Sequence, residues 1–177
     1  MSMDFIVVSD THGRYHLLDS LLNSHLKLPA KFRSKHLIHL GDGVNDIEKS
    51  PASRNFCVHK VRGNCDGFFE LYAENIPKQK VVELFGYKIL IMHGDAFSVK
   101  NGDGLAVEYA LQSEADILMY GHTHKPLTYT LNKGEQIGER VLNKDLTVIN
   151  PGSLGYDNSF CLVSLEENKI LVSHNKI

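Results

Sequence analysis

Five short runs of apolar and β-branched residues punctuate the chain, at Phe5–Val8, Leu37–Leu40, Phe56–Val61, Ile89–Met92 and Ile117–Tyr120, and each leads into a polar stretch flanked by glycine. Runs of this length without polar alternation predict strands buried on both faces. The spacing predicts strands over residues 4–9, 36–40 and 56–61 and a hairpin of 81–85 with 87–92 about Gly86. Leu17, Leu18, Leu21, Leu22 and Leu26 recur at helical spacing and predict a helix over 15–26, with Pro29 as its stop signal. A second helix is expected over 104–113, capped by Asp103. Beyond residue 124 the pattern changes to strands alone, at 127–131, 146–149, 160–165 and 170–173, the last pair joined by the 166–169 turn. These tail strands predict a second, largely antiparallel sheet packed on the first. No linker, repeat or low-complexity segment interrupts residues 1–177, so one α/β domain is expected.

The polar stretches after the apolar runs carry the chemistry. They hold Asp10 and His12 in SDTHG, Asp42 in HLGDG, Asn64 in RGNCD, His93 in IMHGD, and His122 and His124 in YGHTH. In a sheet packed on both faces, ligands gather outside the strand ends, where loops converge. Two imidazoles at i and i+2 can both reach one site from a turn. The donor set of two carboxylates, four imidazoles and an amide oxygen contains no thiolate. That favours manganese, nickel, cobalt, iron or zinc at a working centre over a cysteine-rich structural zinc site. Two divalent ions would carry four positive charges against the two of Asp10 and Asp42, which suits an anionic substrate and an activated water.

The order D-x-H, GD, GN, a single His and GHxH over residues 4–153, closed by the turn Asn150-Pro151-Gly152-Ser153, resembles the calcineurin-like metallophosphoesterases. The short length and GNCD resemble their small bacterial and archaeal phosphodiesterase branch. The resemblance implies a four-layer αββα sandwich of two mixed sheets flanked by helices, with a dinuclear metal site at the strand C-terminal ends. It also implies that Asp10, His12 and His124 hold one ion, that Asn64, His93 and His122 hold the other, and that Asp42 bridges them. The expected cofactors are two divalent ions, manganese first. The expected reaction is phosphodiester hydrolysis by in-line attack of a metal-bridging hydroxide, with Asp42, Asn64, Cys65 and His93 at the catalytic centre. Two alternatives stay open: a phosphomonoesterase or nuclease using the same ligands, and a noncatalytic scaffold like the retromer subunit of this family, which has lost part of the ligand set.

The chain departs from the family pattern at Cys65, where many members have histidine after the asparagine. A thiol is a poorer proton donor than imidazolium, so leaving groups that are already acidic are expected to be preferred. Arg14 and Arg62 are the arginines nearest the ligands in sequence, too few to clamp a dianionic monoester, and this favours a diester.

Composition narrows the partners. With 19 basic and 21 acidic side chains the net charge is −2 over 177 residues, so the basic surplus of a nonspecific nucleic-acid binder is absent. The Lys31–Lys35 stretch reads as a solvated loop. Nothing approaches the ~20 apolar residues of a membrane span. Three dispersed cysteines suit a reducing cytoplasm, with Cys57 and Cys161 expected in the core and Cys65 near the metals. A small phosphodiester is the expected partner, and homo-oligomerisation is left open. His16, His25, His36, His39, His59 and His174 read as core or surface histidines, and Asn101–Gly104 as a turn. Asp66 and Asp95 either orient imidazoles or hold turns. Phe68, Phe69 and Tyr72 suit a pocket, a dimer contact or the core.

Overall fold

The computed structural model describes residues 2–67 and 75–177, so Phe68, Phe69 and Tyr72 lie outside the described residues. Two five-stranded mixed sheets lie face to face. The first has β1 (Met3–Val8) at its centre, with β2 (His36–His39) and β3 (Cys57–Lys60) parallel to it on one side and, on the other, β11 (Ser159–Glu166) antiparallel to it and β12 (Lys169–Lys176) antiparallel to β11. The second runs β4 (Gln79–Leu84), β5 (Tyr87–Met92), β6 (Ile117–Tyr120), β10 (Leu146–Pro151) and β7 (Pro126–Leu131), with β5, β6 and β10 parallel. A small hairpin, β8 (Gln136–Ile137) and β9 (Arg140–Val141), stands apart.

Strand alternation builds three apolar layers. Phe5, Val7, Ile38, Ile89, Ile91, Ile117, Met119 and Ile149 meet between the sheets. Ile6, Val8 and Leu37 face outward against Leu18, Leu21 and Leu22 of α1 (Tyr15–Leu26) and Ile47 of α2 (Val44–Lys49). Leu90, Met92, Leu118 and Tyr120 face Ala106, Val107 and Ala110 of α3 (Gly104–Gln112). This is the helix–sheet–sheet–helix sandwich, and both faces of the central strands are dry, as their unbroken apolar runs require.

Several local expectations are corrected. The tail strands do not make a sheet of their own: β7 and β10 complete the second sheet, while β11 and β12 extend the first. The tail also contains a short helix, α4 (Leu154–Asp157), and α2 follows Asp42 where no helix was expected. Asp103 precedes α3 without capping it, because its carboxylate accepts hydrogen bonds from the Tyr120 and Tyr129 hydroxyls at 3.0 and 2.7 Å. Cys57 is exposed, since it opens the edge strand β3, whereas Cys161 on β11 is buried. Among the described residues no helix is long and apolar enough to cross a membrane.

Candidate metal centre

The C-terminal ends of β1, β2, β3, β5 and β6 open on one rim, and the loops leaving them place the histidines and aspartates together. Asp10, His12, Asp42, His122 and His124 all adopt left-handed backbone conformations, with φ between 46° and 65°. A residue in that region turns the chain sharply as it leaves the strand and costs roughly 1–2 kcal/mol without glycine. Backbone hydrogen bonds between loops hold these turns: Asp10 N donates to Gly41 O, His12 N to Asp42 O, and Gly155 N to Asp10 O. Gly63 and Gly121 permit the closest approaches, because a methyl group there would overlap the Asp42 carboxylate and the Ser9 hydroxyl.

Ligand atoms of Asp10, His12 and His124 lie within 4.8 Å of one another, and so do those of Asp42, His93 and His122. His12 joins the two groups, its Nε2 standing 3.6 Å from Asp10 Oδ1 and 3.9 Å from Asp42 Oδ2. The buried Asp10 carboxylate accepts from Ser9 Oγ at 2.6 Å and from His122 N at 3.1 Å, and Oδ1 lies 3.0 Å from His124 Nε2. Asp42 Oδ1 accepts from Cys65 N at 2.7 Å. The structure does not bring Asn64 into these hydrogen bonds: the residue is exposed and its amide contacts the Cys65 thiol at 3.3 Å. Cys65 itself approaches His12 and Asp42.

These residues fit a metal. His93 Nδ1 sits 2.8 Å from Leu40 O, which can only accept, so Nδ1 carries the proton. Nε2 of neutral His93 is then a bare lone pair facing Asp42 Oδ2 at 3.3 Å and His122 Nδ1 at 3.1 Å. Electron-rich atoms packed this closely require a proton or a cation among them. Buried His12 Nε2 has no hydrogen-bond partner among the described residues. In the metal-free chain protons fill this role. The Asp10 carboxylate beside it, with Asp42, holds the His12 imidazole above its ordinary value against the effect of burial. Burial opposes the charged form of His93, yet Asp42 and Asp10 outweigh it and raise that group too. Burial likewise pushes both carboxylates up, and the surrounding imidazoles reverse this, so Asp10 and Asp42 both lie below the usual carboxylate range. His122 is lowered by burial and by neighbouring His93 and Lys100. Burial and the Asp42 carboxylate push the Cys65 thiol up to about 11.

Residues outside the predicted ligand set complete the frame. Buried Asp66 accepts four backbone N–H groups: Oδ1 from Gly43 and Val44 at 2.7 and 3.0 Å, Oδ2 from Asp42 and Gly63 at 2.8 and 2.7 Å. It therefore holds the Asp42 and Asn64 loops rather than an imidazole. Asp95 pairs with Lys78 at 3.7 Å. Asp46 accepts from Gly13 N at 2.9 Å. His39, kept neutral by burial, lies 3.2 Å from Thr11 Oγ1. Asn150 donates to Gly121 O and Thr123 Oγ1, both at 3.0 Å, and Ser153 Oγ donates to Asp10 O at 2.9 Å. Tyr156 stacks on His124 with ring centroids 5.0 Å apart and meets His12 edge-on. An open cleft of about 250 Å³, lined by His12, Asp42, Asn45, Lys49 and Cys65 among others, lies beside the cluster.

Residues 3–174 match the family model of the calcineurin-like phosphoesterase superfamily domain. The chain belongs to that superfamily. A probable metallophosphoesterase of Bacillus subtilis, YsnB, is 28% identical over 176 residues, covering 96% of this chain and 89% of the relative. Solved structures share the fold at lower identity. A predicted phosphoesterase from Streptococcus pneumoniae superposes with a TM-score of 0.73 at 22% identity, covering 99% of this chain and 90% of that one. An archaeal phosphodiesterase gives 0.64 at 20% identity, with 99% and 100% covered. Zinc-complexed Vps29 from Entamoeba histolytica gives 0.61 at 21% identity, with 98% of each chain covered. The sandwich of two mixed sheets is thus the superfamily's fold, and a metal-dependent phosphoesterase is the class to which this hydrolase belongs.

Proposed function

We propose that the chain is a phosphodiesterase working with two divalent metal ions, manganese first among them. Asp10, His12 and His124 would hold one ion, Asn64, His93 and His122 the other, and Asp42 would bridge. The observation that carries this reading is the convergence of two carboxylates and four imidazoles from four loops, with His12 Nε2 left without a hydrogen-bond partner among the described residues and the His93 Nε2 lone pair facing Asp42 and His122. Divalent ions in such a site supply an activated water and Lewis-acid stabilisation of the charge gathering on a phosphoryl group.

The residues themselves do the positioning. Leu40 O fixes the tautomer of His93, an arrangement that orients metal-binding imidazoles generally. Ser9 and the His122 amide occupy one oxygen of Asp10, leaving Oδ1 facing the imidazoles of His12 and His124. Cys65 N fixes one oxygen of Asp42 in the same way, leaving Oδ2 toward His12 and His93.

Charge favours a diester. Two divalent ions against two carboxylates leave two positive charges, which a monoanionic diester and one further anion neutralise. With that same further anion present, a dianionic monoester would leave one negative charge in excess and call for another cation, and among the described residues Lys49 is the one lysine or arginine lining the adjoining cleft. The archaeal neighbour in fold is a phosphodiesterase, which agrees with this choice. Cys65, protonated at neutral pH, is no substitute for imidazolium beside the leaving oxygen.

The test is hydrolysis of an aryl phosphodiester, with the matching monoester alongside, by metal-stripped protein given manganese, nickel, cobalt or zinc. Turnover of the diester that returns with metal and falls by at least about 10²–10³-fold in Asp42→Asn supports the reading. Folded protein that turns over neither ester with any metal would instead favour a scaffold role.

A further inference from the structure

A second group of metal-binding side chains lies away from the ligands above. His36 opens β2 and pairs in parallel register with Cys57, which opens β3; His59, two residues further along β3, pairs with Ile38. Residues two apart on a strand share a face, so the thiol and both imidazoles project from the same side of these neighbouring strands. We propose that His36, Cys57 and His59 bind a borderline-soft divalent ion of the zinc type, separate from the proposed dinuclear centre.

Distances decide between this and an ordinary polar cluster. His36 Nδ1 lies 3.4 Å from His59 Nε2, and Cys57 Sγ lies 3.8 Å from the same nitrogen. The nitrogen pair is too far apart for a good hydrogen bond, which falls at about 2.7–3.2 Å. Tetrahedral zinc with Zn–N of about 2.0–2.1 Å and Zn–S of about 2.3 Å places neighbouring ligands about 3.3 Å (N···N) and about 3.6 Å (N···S) apart. The observed edges match those of such a tetrahedron within a few tenths of an ångström. All three candidate ligand atoms lie within 4.8 Å of one another.

The surroundings agree. Burial, with the nearby charge of Lys35 for His36 and with His36 and Lys80 for His59, lowers both imidazoles and keeps them neutral, the form that ligates. Cys57 is exposed, so an ion can enter and a water can take the fourth corner. A thiolate offsets part of the repulsion from the two lysines and selects zinc or cobalt over magnesium or calcium. An ion here would tie β2 to the edge strand β3, and these strands lead into the loops of Asp42 and Asn64.

Cobalt titration of metal-free protein tests the site through the near-ultraviolet thiolate-to-cobalt charge-transfer band. The background is Cys65→Ser, which removes the thiol beside the proposed dinuclear centre. The band should saturate within three equivalents at the amplitude of one thiolate-bound cobalt per chain, since the proposed dinuclear centre competes for two; Cys57→Ser should abolish it, and His59→Gln should weaken the cobalt affinity read from it by about 100-fold or more, beyond the ~10–100-fold of outer-shell changes. Unchanged circular dichroism of each variant without metal shows that its fold survives. Should Cys57→Ser fail that control, His36→Gln and His59→Gln carry the same prediction. Absence of the band in Cys65→Ser protein, or its persistence after Cys57→Ser, overturns the site. Diesterase activity is read separately on protein that keeps Cys65, so absence of the band in Cys65→Ser protein with that activity intact refutes this inference alone, and a band without activity refutes only the diesterase.

Discussion

Replacing Asp66 should cost more stability than replacing any single metal ligand in metal-free protein. Its buried carboxylate accepts from the amides of Asp42, Gly43, Val44 and Gly63, and Val44 is the first residue of α2. In Asp66→Ala all four amides lose their acceptor at once. An unsatisfied buried donor costs about 1–3 kcal/mol, and water entering the space of the lost carboxylate would recover part of this, so about 4–6 kcal/mol is expected. That is a large share of the ~5–15 kcal/mol that holds a typical domain together. Asp66→Asn keeps one carbonyl oxygen able to accept two of the four bonds and should cost about half as much. Urea unfolding of the metal-free variants, compared at constant m-value, provides the measurement. The two variants should also bind metal more weakly than wild type in the same order, since the Asp42 loop loses its anchor. A loss below about 1 kcal/mol in Asp66→Ala, or equal losses for Ala and Asn, would refute this account.

The remaining predictions concern the metal ligands and their neighbours. Metal binding should weaken as pH falls, beginning above the ordinary histidine value of 6.5, because His12 and His93 are raised and their protons compete with the ion; calorimetric titration from pH 8 to 5 measures this. Stability of the metal-free chain should run the other way. The histidine contribution is fully present below the unfolded value and lost as pH rises through the raised folded values of His12 and His93. The contribution of lowered Asp10 and Asp42 is lost as pH falls below the carboxylate range. The part of the urea midpoint owed to these four groups, read as wild type minus His12→Gln/His93→Gln, should therefore decline on both sides of an interval between about 4 and 6.5, whereas lowered His36, His39, His59 and His122 lose stability as pH falls below 6.5. Cys65→His should raise turnover of alkyl diesters relative to aryl diesters by about 10-fold or more, the low end of general-acid effects being about 10²; an unchanged ratio would count against a leaving-group role at this position. Tyr156→Ala removes an aromatic contact with His124 worth about 0.5–1.5 kcal/mol. It should weaken metal binding by about 2- to 12-fold, read by the same calorimetry.

What the sequence shows and what it hides divide along physical lines. Unbroken apolar runs such as Phe5–Val8 and Ile89–Met92 are legible because burial on both faces leaves no polar position, and the α1 stripe is legible because twelve residues span several turns. Six-residue α2 and four-residue α4 are too short to display a period. The exposure of Cys57 depends on β3 lying at an edge, and strand order is not written in a strand's own residues. Asp103 looks like a helix cap because capping is judged locally, while the tyrosines that claim its carboxylate are 17 and 26 residues away. Asp66 is close in sequence to a proposed ligand, yet three of its four donors come from a loop more than twenty residues earlier. His36 and His59 read singly as ordinary histidines. Their meeting with Cys57 follows only from the parallel register of β2 with β3.

Backbone strain offers an argument about function that ligand identity alone cannot make. Among the described residues nine non-glycine positions have positive φ, and five of them are Asp10, His12, Asp42, His122 and His124. Histidine and aspartate reach this region more readily than branched residues, but each still gives up stability there. The other four, including Phe85 in the β4–β5 turn and Asn158 after α4, sit where the chain must reverse or a helix must end. These five also turn the chain as it leaves a strand, but they gather on one rim and all carry ligand-type side chains. The strain persists because interloop hydrogen bonds and Asp66 hold the turns before any ion arrives. A surface kept only for docking a protein gains nothing from bare imidazole lone pairs aimed at carboxylates, whereas a centre that must bind metal without rearranging gains all of its preorganisation from them. Relaxing one such position by His122→Gly, which removes both strain and ligand, should therefore raise the urea midpoint of the metal-free chain while lowering metal affinity. A fall in both would show that His122 is held by packing and that its conformation owes nothing to the metal.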